Sequence, residues 1–228
     1  MRAILAFSAG IFRRPFCFGA PKLIPYMFMP KGALVIISAP SGTGKSTICR
    51  RLLRRHKDLC YSVSATTRAP RPAEKNGRHY HFLGEDEFKR RVRRHEFLEW
   101  ALVHGNYYGT PRRFIESALA EGRWVLLPID VQGAAAVRRR LPDAVLVFLL
   151  PPSWRVLKER LAGRREAPKT AAARLANARG ELVSAKRFDY IVVNDDLKLA
   201  VEQIEAILTA EGLRTVRRDL TILKRLED

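Results

Sequence analysis

The chain has 228 residues, 47% of them hydrophobic, enough for one domain with a substantial core and room for inserted subdomains. No apolar run reaches the ~18 residues of a membrane span. Three cysteines, Cys17, Cys49 and Cys60, lack metal-ligand spacing and cannot all pair, which argues against a disulfide scaffold and for a reducing compartment. The net charge of +19 fits a nucleic-acid binder or a basic protein with a site for polyanionic nucleotides; no basic tract is interleaved with aromatics as a single-strand binder requires, so nucleotides are the expected partners.

Residues 1–29 contain no acid and place Arg2 before a short apolar run. A leader peptide has some of these features, but cleavage chemistry is weak. Met27 and Met29 offer a later translation start, so 1–29 is expected to be a disordered or untranslated extension. The folded domain then opens with a strand, Ala33–Ile37, and the loop Ala39-Pro40-Ser41-Gly42-Thr43-Gly44-Lys45-Ser46-Thr47. Apolar Ile48, Leu52 and Leu53 follow at helical spacing. Strand, glycine-rich loop, Lys-Ser and helix together form a phosphate-binding loop, although Ala39 fills its first glycine position. Backbone N–H groups and the helix N-terminus cradle phosphates, Lys45 reaches the β- and γ-phosphates, and the Ser46 hydroxyl holds Mg²⁺. A nucleoside triphosphate is the expected ligand.

From Tyr61 to Arg113 the pattern changes. Ser62–Thr67 alternates and is rich in strand formers, and Arg68-Ala69-Pro70-Arg71-Pro72 must be extended, since proline disfavours helix in the residue before it. Glu85–Glu96 reads as a helix, Phe97–Val103 as a strand, and His104-Gly105-Asn106 as a turn. After it come helix Phe114–Glu121, strand Trp124–Asp130, helix Val131–Arg140 and the apolar strand Ala144–Leu149. Ser153 caps a helix to about Leu161, a second helix runs from about Thr170 to Lys186, and Tyr190–Val193 reads as a last buried strand. Leu197–Leu208 is an amphipathic helix, and the role of the basic segment Leu213–Asp228 is not readable. Repeated β–α units imply an α/β, three-layer P-loop core with a parallel sheet, interrupted by a β-rich insert.

Asp130 closes an apolar strand, where an acid can reach the metal directly or through water. Arg68 and Arg71, on a proline-stiffened segment, suit a clamp for a second phosphate. Glu99 lies between apolar Leu98 and Trp100, and a carboxylate there could accept both N1–H and N2–H of guanine.

These residues, with further separated motifs between about Lys31 and the 190s, resemble the guanylate kinase family. The motifs are the loop Ser38–Ser46, then Ser64–Pro72, Asn76-Gly77-Arg78-His79-Tyr80, Phe97-Leu98-Glu99-Trp100, Gly105–Thr110, Ile129-Asp130-Val131-Gln132-Gly133 and Ile191–Asp195. The resemblance implies cytoplasmic, Mg²⁺-dependent transfer of the ATP γ-phosphoryl group to GMP, and to dGMP, in purine nucleotide metabolism. Ser64, Glu99 and Thr110 would read guanine; Arg68, Arg71, Tyr80 and Tyr108 would hold the GMP phosphate, with Asp130 beside them. Arg160, Arg164 and Arg174 would come from a helical lid over ATP at 153–176, and Asn194 would lie near the adenine. The core would comprise 30–61 and 114–228, and the GMP-binding insert 62–113. Lys45, Arg68, Arg164, Arg174 and Asp130 would carry the chemistry.

The chain departs from the family pattern at Pro128, where an acid is usual, at Ala73 and Arg165, where glycine is usual, and in a lid segment short of acids. Pro128 is expected to cost one ladder hydrogen bond. Two other readings stay open on sequence: a guanylate-kinase-like interaction module without catalysis, and a kinase for another phosphorylated acceptor. The intact Lys45, Ser46 and Asp130 speak against the first, and Ser64, Glu99 and Thr110 against the second.

Overall fold

The computed structural model describes residues 31–103, 105–163 and 168–218, with the side chains of 168–174 left aside. The expected extension at 1–29 and most of the basic C-terminal segment lie outside this range. Within it, residues 213–218 hold a single 3₁₀ turn, Thr215–Arg217.

A five-stranded, all-parallel sheet forms the core. Its order is β2 (Cys60–Tyr61), β7 (Val125–Pro128), β1 (Leu34–Ser38), β8 (Val145–Leu150), β9 (Tyr190–Val193). β1 is central and buried on both faces, so its sequence is continuously apolar rather than alternating. Alternate side chains go to opposite sides. Val35 and Ile37 join Ile48 and Leu52 of α1 (Lys45–Arg55) and Val201, Ile204 and Leu208 of α7 (Leu197–Gly212). Leu34 and Ile36 join Ile115 and Ala118 of α3 (Arg112–Ala120) and Ala134 and Val137 of α4 (Val131–Arg140). Each layer of helices therefore covers one face, and both clusters meet at the strand that feeds the phosphate loop.

A second sheet has the order β4 (His81–Phe82), β3 (Ala65–Thr66), β6 (Asn106–Pro111), β5 (Phe97–Val103). α2 (Glu85–Arg93) closes one side of it. Fully buried Phe88 stacks on Phe97 with ring centroids 4.6 Å apart, beside Ala65 and Tyr107. α2 ends three residues before the expected Glu96, because His95 turns the chain with a left-handed φ of 55°. α5 (Trp154–Ala162) and α6 (Pro168–Val183) pair through Leu157, Leu161 and Ala178. Ser153 caps α5 as expected, its hydroxyl accepting from Val156 N–H at 3.2 Å.

Three expectations need correction. The strand Tyr190–Val193 is buried on one face only: it is the sheet edge, and Ile191 and Val193 are 53% and 46% exposed. Ser62–Thr67 is not one strand; Ser62 extends the core ladder, its N–H donating to Leu126 O at 3.1 Å, and only Ala65–Thr66 belong to the second sheet. Pro128 breaks no ladder bond to β1. Val125 N–H points to β1, donating to Ala33 O, so by alternation the Pro128 nitrogen faces the β2 side, where pairing ends with the Ser62 bond.

Candidate active site

The phosphate loop follows β1 directly. Gly42 and Gly44 take φ values of 92° and 101°, the left-handed region where a Cβ is strained. These two turns let Gly44 cap α1 and bring Lys45 into its first turn. A Cβ on Gly44 would also lie 2.5 Å from Asn194 Nδ2. Asn194 earns that contact by donating from Nδ2 to Thr43 O at 2.6 Å, and Arg160 donates to Thr43 O and Asn194 O at 3.3–3.4 Å. Asn194 and Arg160 thus brace the loop from behind, and Thr43 is buried with Asn194. The cavity is lined by neither.

That cavity, of about 280 Å³, has two walls. One is the loop itself: Ala39, Pro40, Ser41, Gly42, Gly44, Lys45, Ser46 and Thr47. The other comes from the second sheet and its loops: Ser64, Arg68, Arg71, Tyr80, Glu99 and Tyr108. Pro128, Ile129, Asp130 and Glu181 join them. Lys45 Nζ donates to Ile129 O at 2.8 Å. Burial pulls its pKa below the usual lysine value, and Asp130 pushes the other way.

Asp130 sits two residues past the end of β7 rather than in the strand, and it caps α4. Its Oδ1 accepts from Gln132 N–H at 2.7 Å and Gly133 N–H at 3.0 Å. One carboxylate oxygen therefore fixes the helix, while the residue as a whole faces the cavity beside Lys45.

Glu99 is 4% exposed, on the second sheet but in the cavity wall. Thr110 does not line the cavity; its hydroxyl donates to Glu99 Oε1 at 2.5 Å and orients the carboxylate from across the β5–β6 pair. Burial raises the Glu99 pKa to about 7, opposed by the Thr110 bond, with Asp130 raising it further and Arg140 lowering it.

Arg68 is held by a residue that sequence reasoning missed. Its Nη1 and Nη2 donate to the two oxygens of Glu74 at 2.8 and 2.9 Å, and Glu74 also accepts from Arg71 N–H at 2.8 Å. The pairing holds Arg68 above the usual arginine pKa and Glu74 below the usual carboxylate range. The Arg68 guanidinium lies 5.2 Å over the Tyr80 ring, which stands edge-on to Tyr108. Glu74 is the sole acid between Arg68 and Arg78, and that was the available signal.

Glu181 was missed as well. It reaches the cavity from α6, where burial raises its pKa against the pull of Lys45, and its Oε2 is buried without a hydrogen-bond partner. Nothing local in the sequence separates it from a surface acid. Arg174 lies two turns earlier on α6, its side chain outside the described residues, as is the whole of Arg164. No cluster of three or more His, Cys, Asp or Glu among the described residues is arranged to hold a metal. The hard oxygens of Ser46, Asp130 and Glu181 instead suit Mg²⁺, which keeps its waters and takes one or two carboxylates along with substrate phosphates.

A central glycine-rich loop bearing Lys45 in a parallel sheet, opposed across one cavity by a wall carrying Arg68 and Arg71, defines the class of P-loop phosphotransferases. The family model for guanylate kinase matches residues 31–211. The chain is 48% identical over 198 residues to a guanylate kinase of Symbiobacterium thermophilum, covering 86% of this chain and 94% of that protein. It is 47% identical over 199 residues to one of Clostridium perfringens, covering 87% and 92%. The crystal structure of guanylate kinase from Anaplasma phagocytophilum superposes with a TM-score of 0.74 at 34% identity, over 88% of this chain and 96% of that one. The chain belongs to the guanylate kinase family of nucleoside monophosphate kinases. No helix among the described residues is long and apolar enough to cross a membrane.

Proposed function

We propose that this enzyme transfers the γ-phosphoryl group of ATP to GMP with Mg²⁺, giving ADP and GDP, as a cytoplasmic step of purine nucleotide metabolism. The observation that carries the reading is that the phosphate loop and the wall of Arg68, Arg71, Glu99 and Tyr108 face one another across a shared cavity. Loop N–H groups and Lys45 hold the ATP phosphates, and Ser46 with Asp130 and Glu181 would hold the cation. Mg²⁺ supplies charge neutralisation on the phosphates when bound. Arg68, Arg71, Tyr80 and Tyr108 hold the GMP phosphate; Ser64 and Glu99 read the base, with Thr110 orienting Glu99. A GMP phosphate oxygen attacks the γ-phosphorus as its bond to the β,γ-bridging oxygen breaks and ADP leaves. Little covalent help is needed, so the protein acts by alignment and electrostatics. Arg164 and Arg174 are assigned to the lid over ATP, which excludes water as a competing acceptor.

Coupled ADP release with GMP, dGMP, AMP, CMP and UMP tests this. GMP and dGMP should turn over well above the others. No release with any acceptor, or a faster rate with AMP, CMP or UMP, overturns the assignment.

A further inference from the structure

Gly133 stands in the first turn of α4 on ordinary right-handed backbone, so its own conformation does not call for glycine. Alanine is the better helix former at such a position. The neighbours explain the glycine. A Cβ on residue 133 would lie 2.7 Å from Glu99 Oε2, 3.1 Å from Glu99 Cδ and 3.3 Å from Ile129 Cδ1. The closest atom is the tip of a flexible side chain, so the collision displaces Glu99 and leaves the helix in place.

Glu99 is fixed from two directions. Thr110 holds Oε1 by a hydrogen bond, and the bare α4 backbone at Gly133 gives room to Oε2. Resting on the reading of Glu99 as the guanine acceptor, we infer that Gly133 is a specificity-determining positioning residue. Its missing side chain allows both carboxylate oxygens of Glu99 to face the N1–H and N2–H of the base. The same residue's N–H caps Asp130 at 3.0 Å, a bond alanine keeps. A Cβ at position 133 therefore disturbs the acceptor base and spares the donor side.

The test measures GMP, IMP and ATP affinity by calorimetry, together with melting temperature, for wild type, Gly133→Ala, Glu99→Ala and the double variant. IMP offers the N1–H without the exocyclic amine. Gly133→Ala should bind GMP at least tenfold more weakly and lose much of the preference for GMP over IMP. Its ATP affinity should be unchanged, its melting temperature no lower, and it should add nothing to the defect of Glu99→Ala. Unchanged GMP binding in Glu99→Ala overturns the reading of Glu99 itself. If Glu99→Ala weakens GMP while Gly133→Ala does not, Glu99 stands and the role of Gly133 falls. That role also falls if Gly133→Ala weakens ATP equally, melts lower, or keeps its full effect without Glu99.

Discussion

Replacing Glu99 with glutamine should stabilise the protein while damaging its recognition of GMP. Burial raises the Glu99 pKa from an ordinary 4.5 to about 7, so the folded protein binds a proton there over a range in which the unfolded chain does not. Below about pH 4.5 the group is protonated in both states and costs nothing; its cost builds between about pH 4.5 and 7 and is complete above about pH 7. From linkage at about 1.4 kcal/mol per pKa unit, that cost grows by roughly 2–3 kcal/mol between pH 5 and pH 8. Glutamine does not titrate and still offers Thr110 an acceptor, so the stability gap between variant and wild type should widen by roughly that amount over the range. Urea unfolding of both proteins at pH 5, 6, 7 and 8, without nucleotide, reads it directly. Parallel stability curves would refute the account of a buried carboxylate tolerated for its function. The same variant should lose roughly 1–3 kcal/mol of GMP affinity for each base N–H left without an acceptor. In the wild type, the GMP KM should rise as pH falls below about 7, because the protonated carboxyl cannot accept both donors.

Lys45→Ala should reduce turnover by roughly 10²–10³, the scale of one lost electrostatic contact in a transition state, with melting little altered; a rate near wild type would remove Lys45 from the chemistry. Glu181→Gln should raise the Mg²⁺ concentration needed for half-maximal rate and weaken Mn²⁺ binding to the enzyme–ATP complex followed by spin resonance, and unchanged values in both would detach Glu181 from the cation. Phe88→Ala should cost about 3–5 kcal/mol of stability by opening the small core between α2 and the second sheet; a loss under about 1 kcal/mol in urea unfolding would show that this lobe is held by other contacts.

What was legible in the sequence was whatever local chemistry decides. The strand Phe97–Val103 and the helix Val131–Arg140 have the bounds that their patterns predict. The phosphate loop was readable because its glycines, its lysine and both flanking elements are contiguous. β6 was not read as a strand: Gly109 and Pro111 are poor strand formers, and it is held in place by pairing with β3 on one side and β5 on the other. The edge position of β9 depends on the strand order, which no single segment encodes. Glu181 carries no local mark because the groups that act on it, Lys45 and Asp130, are distant in the chain, whereas Glu74 stands alone among the basic residues from Arg68 to Arg78 and could have been read from that. Pro128 looked costly in a strand, and only the ladder direction shows that its missing N–H falls where pairing ends.

Three cations in or behind the site already have protein acceptors. Lys45 donates to Ile129 O, Arg68 to Glu74, and Arg160 to Thr43 O and Asn194 O. A phosphate that binds Lys45 or Arg68 therefore exchanges one acceptor for another instead of filling an unmet need, and the net gain per contact is smaller than the contact itself. What the arrangement gains is order: long side chains that would lose rotamer freedom on binding are already held. The Lys45 exchange favours phosphate strongly, because a neutral carbonyl gives way to a dianion. On the proposed roles, the Arg68 exchange sets one carboxylate against one phosphate, and Glu74 would moderate how tightly GMP is held. Under the proposed assignment, the donor side would therefore hold its phosphates more tightly than the acceptor side holds GMP, because Lys45 gives up a neutral carbonyl and Arg68 a carboxylate.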